Sequence, residues 1–333
     1  MAGSPIFVVG APRTGTTLTR DILNNHPDVY LFNEIHFFEQ VWDSRVQLGD
    51  LSDAGSRARA LERLAEWVAT VGDDRAVLDV LTEPELARRL ELEGGGYRGL
   101  LLALFRTRAE MENAGRFGDS SPQDVLYIAQ ILEWFPDARI LGVVRDPRGF
   151  LASYKNQWRR AVAGDRERYN PVMTSMLWRS YMRALLEAKA GVAAEALAIV
   201  RYEDLVDFPE REARRLCEHV GVDFRPGMID VKRSNTSYDT AVAALKKSGI
   251  DARSRDRWRT ELTPTEIWVG ERIFGPVMEQ LGYDRIAHGL ERPSPGELVH
   301  IAASLPGRLL NQARTGRKKL TLAKLRRVLG SLR

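Results

Sequence analysis

Cysteine is nearly missing: Cys217 is the single one. No disulfide can form within the chain, and a reducing, cytoplasmic setting is the expectation. No apolar run approaches the roughly 20 residues needed to span a bilayer. The chain opens on the strand-like IFVVG with no basic leader or cleavage signal. The sequon Asn235-Thr236-Ser237 is therefore expected to be an ordinary polar loop. Acid is absent after Glu297, where nine Lys and Arg follow, from Arg308 to Arg333. Removing those nine from the net charge of +4 leaves residues 1–297 at −5. The basic character belongs to the tail, which argues against a nucleic-acid surface on the body.

What is present describes a globular chain. Its 333 residues can bury a full core, and 44% are hydrophobic against 28% charged. Three short apolar runs, IFVV (6–9), RILGVV (139–144) and LAIVR (197–201), have the composition of buried strands. Each precedes a helical pattern, so an α/β fold is expected, a parallel sheet flanked by helices. Helices are predicted over 16–25, 123–135, 147–160, 174–190, 209–220 and 264–281. The Leu-, Ala- and Arg-rich stretch 45–115 predicts a helical cap inserted between core strands, placed to shape an acceptor pocket.

The first strand runs into Gly10-Ala11-Pro12-Arg13-Thr14-Gly15-Thr16-Thr17. The spacing is that of a phosphate-binding loop, G-x-x-x-x-G-K-[S/T], but Thr16 stands where the lysine belongs. A strand–loop–helix unit aims backbone N–H groups and the positive helix end at an anion. Arg13 adds a forked cationic donor suited to phosphate or sulfate. Metal-dependent phosphoryl transfer asks for the missing lysine and a metal-holding acid. Asp146 is the candidate for that acid, yet Arg145 precedes it and Pro147 follows, which makes it the expected N-cap of the next helix. A transferred sulfuryl group carries less negative charge than a phosphoryl group. Arg, Thr and N–H donors can stabilise its transition state without metal.

At this point the sequence resembles the sulfotransferases that use 3′-phosphoadenosine 5′-phosphosulfate (PAPS), in the branch of tyrosylprotein and carbohydrate sulfotransferases and their bacterial relatives. Their 5′-phosphosulfate loop, PRSGTTL, stands here as Pro12 to Leu18. Their 3′-phosphate element, R-D-P-R with a Ser eight residues after the first Arg, stands as Arg145-Asp146-Pro147-Arg148 with Ser153. V-x-Y-E-x-L matches Val200 to Leu205, and Q-L-G-Y matches Gln280 to Tyr283. The resemblance covers about residues 5–286. It implies a P-loop-like fold over 1–286, with 287–333 as a basic helical extension. It further implies that Arg13, Thr14, Gly15, Thr16 and Thr17 hold the 5′-phosphosulfate. Arg145 and Ser153 would hold the 3′-phosphate, and Tyr202 would reach the nucleotide. Ser234-Asn235-Thr236 and Arg257-Trp258 fall where the family has its late nucleotide-binding loop.

The resemblance also places a base. Glu34, in HPDVYLFNEIHFF, lies 21 positions after Arg13, where relatives carry a catalytic Glu. One positioned carboxylate suffices to take the acceptor's proton. The plain structural reading of Glu34 is an acid at a helix N-terminus. His36 is the rival base, ranked second because two residues further along a helix it would point elsewhere. His26 is expected to be structural. Relatives often have G-E-K-T-P where this chain has Gly118-Asp119-Ser120-Ser121-Pro122, with Ser120 in the Lys place. Either Arg13 carries the positive charge alone or another cation such as Arg116 replaces that lysine.

The expected activity is thus metal-free sulfuryl transfer from PAPS to a hydroxyl acceptor (sugar, lipid, tyrosine or small natural product), leaving adenosine 3′,5′-bisphosphate. Its rivals are a metal-dependent P-loop kinase or nucleotidase and a non-catalytic nucleotide-binding membrane adaptor. In LTLAKLRRVLGSLR, Leu322, Leu325, Val328, Leu329 and Leu332 share one helical face among Lys and Arg. Such a helix suits an anionic membrane surface, an acidic partner or the chain's own acidic body.

Overall fold

The computed structural model describes residues 3–71, 75–160, 169–231, 250, 254–299 and 301–303. Five strands form one wholly parallel sheet: β1 (Ile6–Gly10), β2 (Val29–Asn33), β3 (Arg116–Ser120), β4 (Arg139–Val144) and β5 (Leu197–Arg201), in the order β2-β3-β1-β4-β5. The three apolar runs are β1, β4 and β5. The additional strand β3 reads RFGDS and carries no β-branched residue. Its Gly118 is demanded by contact, because a Cβ there would lie 1.7 Å from the Ile6 carbonyl oxygen.

Alternation along β1 explains why both sheet faces are covered. Phe7 and Val9 enter one core with Phe32, Phe105, Trp178 and Phe274. Ile6 and Val8 enter the other with Ile22, Leu141, Val200 and Leu216. The helices used below are α1 (Thr16–Asn24), α2 (Ala54–Val71), α3 (Glu83–Glu93), α4 (Gly96–Glu112), α5 (Ile128–Trp134), α6 (Pro147–Arg160), α7 (Pro171–Gly191), α8 (Tyr202–Asp207), α9 (Pro209–Val220) and α10 (Pro264–Gln280). The predicted helices are present with shifts at their ends, except that residues 122–127 form a 3-10 turn leading into α5. No helix among the described residues is long and apolar enough to cross a membrane.

The inserted segment lies between β2 and β3 and does two different things. Its last helix, α4, is a layer of the sheet itself. Phe105 meets Phe7, Phe32 and Phe117 with ring centroids 5.8, 5.9 and 6.1 Å away. Leu100 to Phe105 are buried without a polar interruption, which is why this helix cannot stand apart as a cap. The earlier helix α2 instead reaches the loop after β2, as described below. Glu297 and Ile301 still touch the body: Thr265 Oγ1 donates to Glu297 at 2.8 Å and Asn170 Nδ2 to the Ile301 carbonyl at 3.2 Å. The basic stretch from Arg308 and the Ser234–Thr236 segment lie outside the described residues.

Candidate active site

Five positions singled out in the sequence stand at the C-terminal ends of the strands: Arg13 after β1, Glu34 after β2, Ser120 ending β3, Arg145 after β4 and Tyr202 after β5. In open parallel sheets this edge is where ligands bind.

The phosphate loop is folded by its own side chains. Thr14 is fully buried, and both its amide and its hydroxyl donate to the Ala11 carbonyl, at 3.3 and 2.7 Å. Thr14 therefore shapes the loop with its side chain rather than offering it outward. Gly15 has φ 107, and a Cβ on it would fall 2.5 Å from Cδ2 of the Tyr202 ring. Thr16 and Thr17 open α1, whose first turn holds no acid, so its positive end is uncompensated. Arg13 is in the left-handed region (φ 70), and its Nε donates to Ser153 Oγ of α6 at 3.2 Å. A hydrogen bond thus joins the two elements that the sequence leads one to expect at the anion.

Arg145 is 6% exposed. It donates to the Arg13 carbonyl (3.1 Å) and the Ser254 carbonyl (2.9 Å), and its guanidinium lies 4.3 Å over the Tyr202 ring. Its Nε is buried without a hydrogen-bond partner. Such an orphaned cationic donor, next to the Arg13–Ser153 bond, fits an anionic ligand group. The Tyr202 hydroxyl bonds Ser254 Oγ. Arg257 is half-buried in the turn before Trp258. Trp258 is 3% exposed, with the Arg148 and Arg259 guanidinium carbons 4.3 and 4.4 Å from its ring centroid. It packs the R-D-P-R turn.

Asp146 is the N-cap of α6, as its neighbours predicted. Its Oδ1 accepts from the Arg148 amide at 2.8 Å, and its carboxylate also takes Arg148 Nε and a terminal guanidinium nitrogen at 2.9 and 2.7 Å. The Asp146 amide donates to Glu203 Oε1 (2.9 Å), and the Tyr283 hydroxyl to Glu203 Oε2 (2.8 Å). Glu203 therefore ties R-D-P-R, V-x-Y-E-x-L and Q-L-G-Y together in space. Burial pushes its pKa up.

The base region differs from expectation in one respect. Glu34 and His36 both have positive φ, 55 and 50, and the next helix begins only at Phe37. The chain is not helical between them, so His36 does not point away: its Nε2 lies 3.3 Å from Glu34 Oε2. His36 is 4% exposed at its side chain and Glu34 37%, so Glu34 faces outward with His36 behind it. The exit of β3 holds this turn. Ser120 O accepts from the Glu34 amide (3.3 Å), Asp119 Oδ1 from the Ile35 amide (3.4 Å) and Ser121 Oγ from the His36 amide (2.8 Å). Trp67 of α2 donates from Nε1 to the Glu34 carbonyl at 3.0 Å. Burial raises the Tyr154 phenol to about 12, with Arg13 and Glu34 acting on it electrostatically. Arg116 is not the substitute cation. It begins β3 at the opposite sheet edge and donates to the Gly221 carbonyl at 3.1 Å. His26 is structural, its Nδ1 accepting from the Asp28 amide at 3.1 Å.

The sequence profile of the sulfotransferase family matches residues 5–226. The chain belongs to that family. Among the relatives of this sulfotransferase is the nodulation protein NoeE of Sinorhizobium fredii, 26% identical over 84% of this chain and 66% of that protein, just under two thirds. Protein-tyrosine sulfotransferase A of Caenorhabditis elegans is 23% identical over 88% of this chain and 71% of its own length. Two solved structures share the fold. The sulfotransferase domain of the Synechococcus PCC 7002 olefin synthase aligns with TM-score 0.56 at 22% identity, covering 85% of this chain and 96% of that one. The sulfotransferase domain from the curacin biosynthetic pathway aligns at 0.54 and 21%, covering 86% and 99%.

The site residues that sequence reasoning missed are Trp67, Asp119 and Ser121. Trp67 stands in a helix with no motif around it. Asp119 and Ser121 flank the Lys place, and their part in holding Glu34 depends on β3 lying beside β2.

Proposed function

We propose that this sulfotransferase moves the sulfuryl group of PAPS onto a hydroxyl of its acceptor in one in-line displacement. The acceptor oxygen attacks sulfur, its proton passes to Glu34, and the bond from sulfur to the bridging phosphate oxygen breaks. The electron pair of that bond stays on the phosphate, and adenosine 3′,5′-bisphosphate leaves. Arg13 and the N–H groups opening α1 stabilise the charge on the transferring group and the leaving phosphate. Arg145 and Ser153 hold the 3′-phosphate, and Tyr202 orients the nucleotide. The acceptor class proposed is a phenolic hydroxyl, as the name of the tyrosine-sulfating relative suggests. The body to residue 286 carries this chemistry, and the basic extension is the element offered to an anionic surface.

The observation that carries the reading is the hydrogen bond from Arg13 to Ser153, with Arg145 beside it. Two anion-holding elements in contact suit a nucleotide with phosphate at both its 5′ and 3′ positions. The kinase reading lacks support on two counts: Thr16 fills the lysine place, and Asp146 is engaged by Arg148. Calorimetry tests the proposal: adenosine 3′,5′-bisphosphate binds and ATP does not. Arg145→Ala should weaken the bisphosphate by about 1.5–3 kcal/mol, the worth of a hydrogen bond to a charged group. ATP binding in its place, or an unchanged affinity in the variant, ends this assignment.

A further inference from the structure

Glu34 and His36 are both non-glycine residues at positive φ, 55 and 50, two positions apart. Left-handed conformations cost free energy and persist only where the surroundings over-determine them. Three amides of this turn are held by β3, as described above. The Ile35 amide and the Glu34 carbonyl belong to one planar peptide, held on its N–H side only by the long 3.4 Å bond to Asp119. That carbonyl accepts from Trp67 Nε1 at 3.0 Å, a residue 33 positions further on in α2. The same indole meets the His36 ring edge-on, with centroids 5.1 Å apart and planes at 86°. His36 Nε2 in turn lies 3.3 Å from Glu34 Oε2. Trp67 therefore touches the base twice, once through its carbonyl and once through the imidazole behind its carboxylate.

We propose that Trp67 is a positioning residue for Glu34, through which the inserted helix α2, and not the sheet alone, sets the direction of the carboxylate. This rests on the reading of Glu34 as the base. Without the indole N–H, the Glu34–Ile35 peptide keeps only the long bond to Asp119 and can turn to relax the left-handed residues. The carboxylate then swings away from the acceptor, while the phosphate loop, built on β1 and α1, keeps its shape.

The test uses the full chain and Trp67→Phe, which keeps an aromatic ring against His36 and removes only the donor. A panel of a tyrosine-containing peptide, an oligosaccharide and a fatty alcohol supplies the acceptor that turns over fastest with wild type. The variant should lose about 10- to 100-fold in kcat, the size expected from a misplaced catalytic group. The KM for PAPS and the affinity for adenosine 3′,5′-bisphosphate should stay within about two-fold. In a Glu34→Gln background the same substitution should cost nothing further, because there is no base left to position. An equal loss in both backgrounds, or unchanged kcat, overturns the proposal. Amide exchange reads the turn without any activity: Ile35 and His36 should exchange about 10-fold faster in Trp67→Phe, with β1 unaffected. Unchanged exchange there sinks the tie itself. Should the variant not fold, the wild-type indole proton decides: slow exchange with solvent supports the bond, and rapid exchange removes it. A wild type that neither binds the bisphosphate nor turns over PAPS defeats the proposed function, and the exchange data still decide whether Trp67 holds the turn.

Discussion

Asp119 shows how a single residue couples the site to pH. It is 2% exposed, accepts from the Ile35 amide, and keeps Oδ2 without a hydrogen-bond partner. Burial raises its pKa from 3.8 to about 6, against the lowering effects of Ser121 and of His36. Asp124, also buried, is pushed up by burial and then by Asp119 and Glu39. A carboxyl with a raised folded-state pKa binds its proton more tightly when folded. Its stability contribution is full below about pH 4 and is lost as pH rises through about 6. Urea unfolding at successive pH values should therefore show stability falling between about pH 4 and 6 from this group. Asp119→Asn retains an oxygen for the Ile35 amide and should flatten that fall. A slope unchanged in the variant would assign it to other carboxyls.

At the scale of elements, the tie between α6 and α10 decides whether the R-D-P-R turn keeps its geometry. Glu271 of α10 is 1% exposed. It accepts from Arg148 at 3.1 Å and from the Ile286 and Ala287 amides at 3.1 and 2.8 Å. One carboxylate thus closes the chain after α10 and pairs a buried guanidinium. Removing it strips the Ile286 and Ala287 amides of their acceptor and leaves Arg148 to Asp146 alone, and both changes cost stability at a buried site. Glu271→Ala should cost about 3–5 kcal/mol in denaturant unfolding. A loss under about 1 kcal/mol, the range of an exposed ion pair, would mean that water reaches Arg148.

For the whole molecule, ligand binding and folding are linked, since the strand ends that form the site exist only in the folded sheet. At a concentration about 100-fold above its dissociation constant, adenosine 3′,5′-bisphosphate should stabilise the chain by about 2.7 kcal/mol. That corresponds to a rise in Tm on the order of 5 °C for a chain of this size. Differential scanning calorimetry with ATP at the same concentration should show no such rise. Equal shifts from both nucleotides would point to a general phosphate effect. This measurement samples all five strands at once, which a single substitution does not.

Much of this was legible locally. The phosphate loop, the Asp146 cap and the helices α1, α6, α9 and α10 follow from neighbours within a turn or two in the chain. Apolar runs of branched residues likewise marked β1, β4 and β5, because a strand buried on both faces needs little else. Strand β3 escaped because RFGDS is chosen for what touches it: Gly118 by the backbone of β1, and Asp119 and Ser120 by the turn after β2. The Glu34–His36 contact required two left-handed residues, which no periodicity announces, and Trp67 reaches them from 33 positions away. Chain chemistry alone therefore marked the phosphate loop, the family it belongs to and three of the five strands that carry its neighbours. Only the folded sheet, by bringing β2, β3 and α2 side by side, decided how the carboxylate is held, since that grip is made of contacts between residues distant in sequence.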